Sequence, residues 1–213
     1  EEILNLFGQD EFLINSIGKD STKNTDEALL EIYEKLKPGE PATLDSAKNQ
    51  LITRFFDAFR YDLAKVGRYK FNKKLDVCDR LLNQKLAEDI IVDGEVIVEK
   101  GTKVTSKVLE TLRPIFANGY GMIDGTTNKE LNDATMVQVV SVYSPVDPTK
   151  IVRIIGNDQS ITTKTLTISD IYASVSYYLN LLQNIGSIDE IDHLSNRRLK
   201  QVGELLQNQF RIG

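Results

Sequence analysis

The chain has 213 residues and a mass of 24.0 kDa, with 41% hydrophobic and 27% charged side chains. These values suit one large globular domain or two small ones and exclude a disordered or collagen-like chain. No apolar run approaches the roughly 18 residues of a membrane span, and Glu1-Glu2-Ile3-Leu4 lacks the basic-then-apolar pattern of a signal peptide. The expectation is a soluble, cytoplasmic chain with no membrane partner. One cysteine, Cys78, and one histidine, His193, exclude an internal disulfide and a Cys/His zinc site. The absence of an initiator Met, and an end at Arg211-Ile212-Gly213 just after a strongly patterned segment, lead to the expectation of a piece cut from a longer protein.

In chain order, Leu29, Ile32, Tyr33 and Leu36 repeat at helical spacing, so a helix is predicted over Asp26–Lys37, capped by Thr25 and ended by Pro38-Gly39. Thr43 is the expected cap of a second helix, in which Leu44, Ala47, Leu51 and Phe55 share a face. A third is predicted over Leu63–Lys74. From about Arg80 the texture turns β-rich. Two β-branched stretches flank Asp93-Gly94 between Ile90 and Val98, a strong hairpin signal. A short helix is predicted over Lys107–Phe116, then strands over Met136–Tyr143 and Ile151–Ile155, with a further strand across Ile161–Leu166. Helix returns with Ser169 as cap and Gly186 just past its end, and a polar loop, Asp189–Asn196, leads to a last helix carrying Leu199, Val202, Leu205 and Leu206.

The resulting fold class is α+β. A discontinuous helical domain, residues 1–77 and 169–213, is expected to be interrupted by an inserted antiparallel β-rich module, residues 78–168, about 120 and 90 residues respectively.

The net charge of −5 argues against a nucleic-acid partner, but it is an average: residues 1–50 sum to −6 and residues 54–74 to +5. The basic segment carries Arg54, Arg60, Lys65, Arg68, Lys70, Lys73 and Lys74 among Phe55, Phe56, Phe59, Tyr61, Tyr69 and Phe71. Basic side chains interleaved with aromatics can track a phosphate backbone; a helix pair with a buried apolar face and a solvated basic face has the same composition.

The chain has no GxxxxGK[ST] loop, no GxGxxG after a strand and no GxSxG elbow, and its single histidine offers no base for a nucleophile constellation. Asn118-Gly119-Tyr120-Gly121 reads as a turn. Asp189, Glu190 and Asp192 read as carboxylates favouring a helix N-terminus rather than as a cation site, and His193 as a local hydrogen-bonding group. The adjacent Arg197 and Arg198 point in different directions, so one can hold the fold through a carboxylate while the other meets a phosphate or base edge.

Three blocks carry a resemblance. Asp189-Glu190-Ile191-Asp192-His193-Leu194-Ser195-Asn196-Arg197-Arg198, continuing through Val202-Gly203-Glu204-Leu205, resembles the D-D-I-D-H-L-G-N-R-R block of bacterial RNA polymerase β subunits. Glu31-Ile32-Tyr33 with Lys37-Pro38-Gly39-Glu40-Pro41, and Arg60-Tyr61-Asp62-Leu63 with Val66-Gly67-Arg68-Tyr69-Lys70 and Asn72, resemble two further blocks in the same order. The β-rich middle resembles a lineage-variable insertion of Gram-positive-type subunits.

The resemblance implies the lobe of that subunit, a wall of the downstream DNA channel running into the fork region, with DNA, sigma factor and the α, β′ and ω subunits as partners. It implies no catalytic residue, metal or cofactor in this piece, the enzyme's Mg²⁺ being bound by β′; alone, the piece is expected to be an inactive monomer. Asp192 and Arg197 fall on residues that form a pocket for an unpaired non-template guanine. Asn196, Arg198 and Lys200 join them as DNA-facing residues, and Arg60, Arg68, Lys70 and Lys73 are candidate phosphate contacts. A docking platform for transcription regulators, built on the inserted module, is the alternative function. Two departures stand out: Ser195 replaces a glycine, implying strain of about 1 kcal/mol if φ is positive there, and Lys200-Gln201 replaces Arg-Ser, losing the bidentate fork.

Overall fold

The computed structural model describes residues 2–125, 135–197 and 199–212. It begins with α1 (Glu2–Phe7) and α2 (Glu11–Lys19), for which no helix was expected. Next comes α3 (Thr25–Leu36), capped not by Thr25 but by Asn24, whose Oδ1 accepts from Glu27 N at 2.9 Å. The Glu27 carboxylate reaches back to the amide of Lys23 at 2.8 Å, so the acid three residues on selects the cap. In α4 (Leu44–Phe55), Thr43 caps as expected, in a reciprocal box with Ser46. The helix α5 (Ala64–Leu75) and a short α6 (Val77–Leu81) follow.

The middle of the chain supplies β1 (Lys85–Leu86), β2 (Ile90–Val92), β3 (Glu95–Val98), α7 (Ser106–Ala117), β4 (Met122–Asp124), β5 (Met136–Tyr143) and β6 (Ile151–Gly156). The β2–β3 hairpin turns on Asp93 and Gly94 with φ of 51° and 84°, the pair of positive values a type I′ turn requires. In the main sheet β5 pairs antiparallel with β6 on one side, and with β4 and β1 on the other. Last come α8 (Ile168–Leu182) and α9 (Val202–Ile212). Among the described residues no helix is long and apolar enough to cross a membrane.

Both faces of the sheet are covered, which is why β5 and β6 read as nearly continuous apolar runs. Val140, Val142 and Ile154 pack with Val77, Leu81, Leu112, Phe116 and Ile185. Val137 and Ile155, facing the other way, pack with Leu6, Phe7 and Leu179. One core cluster thus runs from Val77 to Ile185 and joins α6, α7 and that last residue, which follows α8, to the strands of the middle of the chain.

The outer edge of β6 is closed by side chains instead of a strand. Ile155 N donates to Ser176 Oγ at 2.9 Å, Asn180 Nδ2 donates to Arg153 O at 3.0 Å, and Arg80 Nη2 donates to Ile155 O at 2.6 Å. Arg80 is buried among neutral acceptors, including Asn180 Oδ1 and Leu75 O, with its charge over the Tyr177 ring at 5.3 Å. Burial pushes its pKa down to about 10. Burial likewise pushes the Cys78 thiol up to about 12.

No strand forms across Ile161–Leu166; that expectation is corrected by the backbone polar groups of the segment, which face α5. Leu63 N donates to Lys164 O at 2.8 Å, Asn72 Nδ2 to Ile161 O at 3.4 Å, Arg68 Nε to Thr163 O at 2.8 Å, and Arg68 Nη2 to Thr165 O. With its carbonyls taken by side chains of α5 and by the Leu63 amide, the β-branched run has no ladder to join. The cap of α8 is Thr167, not Ser169: Asp170, three residues on, completes a capping box with it, and Ser169 is buried two residues past the cap.

Asp170 also accepts both 2.8 Å contacts of the Arg68 guanidinium and one from Asn157 Nδ2 at 2.8 Å. Arg68 is 4% exposed and Asp170 1%. Removing one member of such a pair leaves a buried charge without its counterion, so Arg68→Met is expected to lose about 3–5 kcal/mol of stability. Urea denaturation of the two chains checks this; coincident midpoints would refute the assignment.

Candidate nucleic-acid interface

The C-terminal end of α8 decides where the polar loop starts. Ile185 is buried in the core and Gly186 turns the chain at φ of +96°, a conformation side-chain-bearing residues seldom adopt. A Cβ there would lie 2.9 Å from the Tyr177 hydroxyl. From Gly186 to Arg197 every residue is exposed, so polar contacts rather than apolar burial hold the loop.

Within the loop, the guanidinium of Arg197 meets Asp192 Oδ1 through Nη2 at 2.6 Å, both side chains facing solvent. Asn196 Nδ2 donates to Glu190 O at 2.7 Å, and the amides of His193, Asn196 and Arg197 close successive tight turns. A 3₁₀ turn over Leu194–Asn196 places Ser195 outside the positive-φ residues. The condition for strain at Ser195, a positive φ, is therefore not met. Its amide donates to His193 Nδ1 at 3.2 Å and its hydroxyl lies 2.6 Å from the same nitrogen, which gives His193 the local hydrogen-bonding role expected of it.

The acidic residues of this loop cap no helix, since α9 starts only at Val202. Asp189 instead pairs with Lys74 at 2.9 Å and Asp192 with Arg197. Among the described residues no group of three or more His, Cys, Asp or Glu side chains is placed to hold a metal ion. Lys200 is exposed between the 3₁₀ turn and α9. Arg198 lies outside the described residues.

The basic helix α5 divides by face. Lys73 is exposed and lines, with Lys65, Tyr69 and Asn72, an open cleft of about 700 Å³. Arg60 is exposed on the turn that precedes α5. Arg68 is the correction on this helix: its guanidinium is buried and fully engaged with Asp170 and two carbonyls, so no phosphate reaches it. Lys70 is half-buried, and its Nζ donates to Asn196 Oδ1 at 2.8 Å. The structure therefore joins two separate groups of sequence candidates, α5 and the 187–197 loop, through Lys70, and adds Lys74 and Tyr177, which were not singled out as site residues. The helical offset of Lys74 from Lys70 by four residues was the available signal.

The 3₁₀ geometry implies that Ser195→Gly brings no gain: it removes the hydroxyl contact and adds backbone freedom, for an expected loss of about 0.5–1 kcal/mol. Thermal or urea unfolding measures the sign, and a stabilised glycine variant would show that the serine is strained after all.

The chain matches the family described as RNA polymerase Rpb2, domain 2, over residues 2–92 and 143–200. It is 51% identical over 223 residues to a DNA-directed RNA polymerase subunit beta of Enterococcus faecium, and 50% identical over 219 residues to that of Geobacillus thermodenitrificans (strain NG80-2). In both cases the whole of this chain aligns with 18% of the relative. The chain thus spans less than a fifth of the length of the curated relatives it matches.

Proposed function

This chain belongs to the RNA polymerase Rpb2 domain 2 family, and on that premise we propose that it is a DNA-contacting lobe of a bacterial RNA polymerase β subunit. It works in the cytoplasm as one wall of the downstream DNA channel, in a nucleotidyltransferase assembled with α, β′, ω and sigma. Its own residues carry no catalytic step; the polymerase's Mg²⁺ is held by β′. The segment between the two matched stretches, residues 93–142, falls within the lineage-variable module proposed at about residues 78–168.

The observation that carries the reading is the solvent-facing Asp192–Arg197 pair on a loop with no buried side chain. A carboxylate accepts from guanine N1–H and N2–H₂, while a guanidinium donates to phosphate or to guanine O6 and N7. One bonded pair offers both functions side by side to a base taken out of the stack. Its geometry is set before DNA arrives, so fewer rotamers need to be frozen on binding. Asn196 and Lys200 flank the pair in the chain, and Arg198 is proposed with them as a DNA contact. Arg60 and Lys73, together with Lys65, supply exposed positive charge for the phosphate backbone. Polymerase carrying Asp192→Ala is expected to lose its preference for guanine at the downstream edge of the non-template bubble, about 1–3 kcal/mol or tenfold and more in open-complex lifetime. Equal guanine-to-adenine lifetime ratios in the parent and variant enzymes would sink the assignment.

A further inference from the structure

The 186–197 stretch has no buried residue, yet it is fastened to the body at both ends by one helix. At its start, Tyr177 Oη donates to Ser187 O at 2.9 Å and accepts from Ser187 N at 3.0 Å. Lys74 Nζ donates to the same carbonyl at 2.8 Å and to Asp189 Oδ1 at 2.9 Å, and sits 4.9 Å from the centre of the Tyr177 ring. At its far end Lys70 Nζ donates to Asn196 Oδ1, while the amide side of Asn196 ties back to Glu190 O. Between these points the loop stands off the helices, leaving a groove of about 460 Å³ lined by Phe71, Leu75, Ser174 and Ile191 among others. Apolar packing does not hold the loop at this distance; two ammonium groups one helical turn apart do. Burial alone pushes the Lys74 ammonium toward deprotonation, and its contacts with Asp189 and Tyr177 more than offset that, leaving its pKa raised.

We propose that Lys70 and Lys74 are positioning residues that clamp the two ends of the 187–197 loop and fix where the Asp192–Arg197 pair is presented, instead of contacting phosphate. This rests on the reading of that pair as a base contact. It separates the basic helix into lysines that shape the site from within, Lys70 and Lys74, and side chains that face outward, Lys65 and Lys73. Tyr177 is the shared backstop: it orients Lys74 through its ring and Ser187 through its hydroxyl.

The two roles have different signatures. A phosphate-contacting lysine weakens binding equally on all sequences and lowers the salt dependence by about one unit per contact when removed. A positioning lysine alters base preference and leaves the salt slope alone. The test is made in the assembled polymerase with Lys70→Met/Lys74→Met, methionine keeping most of each apolar stem. The expected result is loss of most of the guanine preference in open-complex lifetime, an unchanged slope of log affinity against log salt, and about tenfold faster amide exchange over residues 187–197. Exchange in β5 and β6 stays as in the parent, showing that the fold is intact. Lys74→Arg, which can still pair with Asp189 and cover Tyr177, is expected to restore the preference. A salt slope reduced by about two units with guanine preference kept would overturn the proposal, as would unchanged exchange in the loop. Asp192→Ala, run alongside, separates the two ideas. If it leaves guanine preference intact, the base-contact reading fails while loop exchange still judges the clamp; if it abolishes the preference and the lysine variant does not, the clamp fails alone.

Discussion

The ion pair between Arg68 and Asp170 is the constraint on which the other parts depend. One carboxylate, 1% exposed, closes the cap of α8, accepts from Asn157 and receives the guanidinium of α5. The same guanidinium holds two carbonyls of the 157–167 connection. Two helices far apart in sequence and the segment that follows β6 are thereby locked in a single register. The desolvation of two charges is costly, and each is surrounded by further hydrogen bonds that offset it. Everything later in the chain inherits that register: α8 ends at a fixed point, Ile185 enters the core, and the polar loop departs opposite Lys74 and Lys70.

This explains why a basic helix is an ambiguous feature. Its composition admits both a DNA-tracking surface and a solvated helix face, and α5 is neither throughout. Arg68 faces inward to a buried acid, Lys70 and Lys74 face sideways to a loop, and Lys65, Tyr69 and Lys73 face out. Charge counted along a sequence records none of these directions. The net +5 of residues 54–74 is reduced in the fold, because two of its cations meet Asp170 and Asp189 from a distant part of the chain.

Local signals were legible where they were self-contained. The Asp93-Gly94 hairpin, the Thr43 cap, and the apolar runs of β5 and β6 needed no partner to be read. The caps at Asn24 and Thr167 were misread by one or two residues because a hydroxyl residue, Thr25 or Ser169, followed each true cap; the acid three positions on, Glu27 or Asp170, distinguishes them. Ile161–Leu166 has the composition of a strand, but its carbonyls are claimed by side chains about a hundred residues away. The short α1, and β1 with two residues and β4 with three, carry too few residues for any periodicity. In the candidate site, Asp192 and Arg197 were found through resemblance, whereas Lys74 and Tyr177 became visible only when the helices were packed together.

The closed edge of β6 has a consequence for how this domain can vary. Ser176, Asn180 and Arg80 occupy the hydrogen-bonding groups that a further strand would need on that side. Growth of the sheet is left to the opposite side, where β4 and β1 cover only the two ends of β5. On that side β4 lies between the two stretches matched by the family, and β1 within the first of them. The architecture is thus a ratchet for length: segments added beside β4 and β1 alter one margin of the sheet, while α8, which leads to the 187–197 loop, stays against the other, undisturbed.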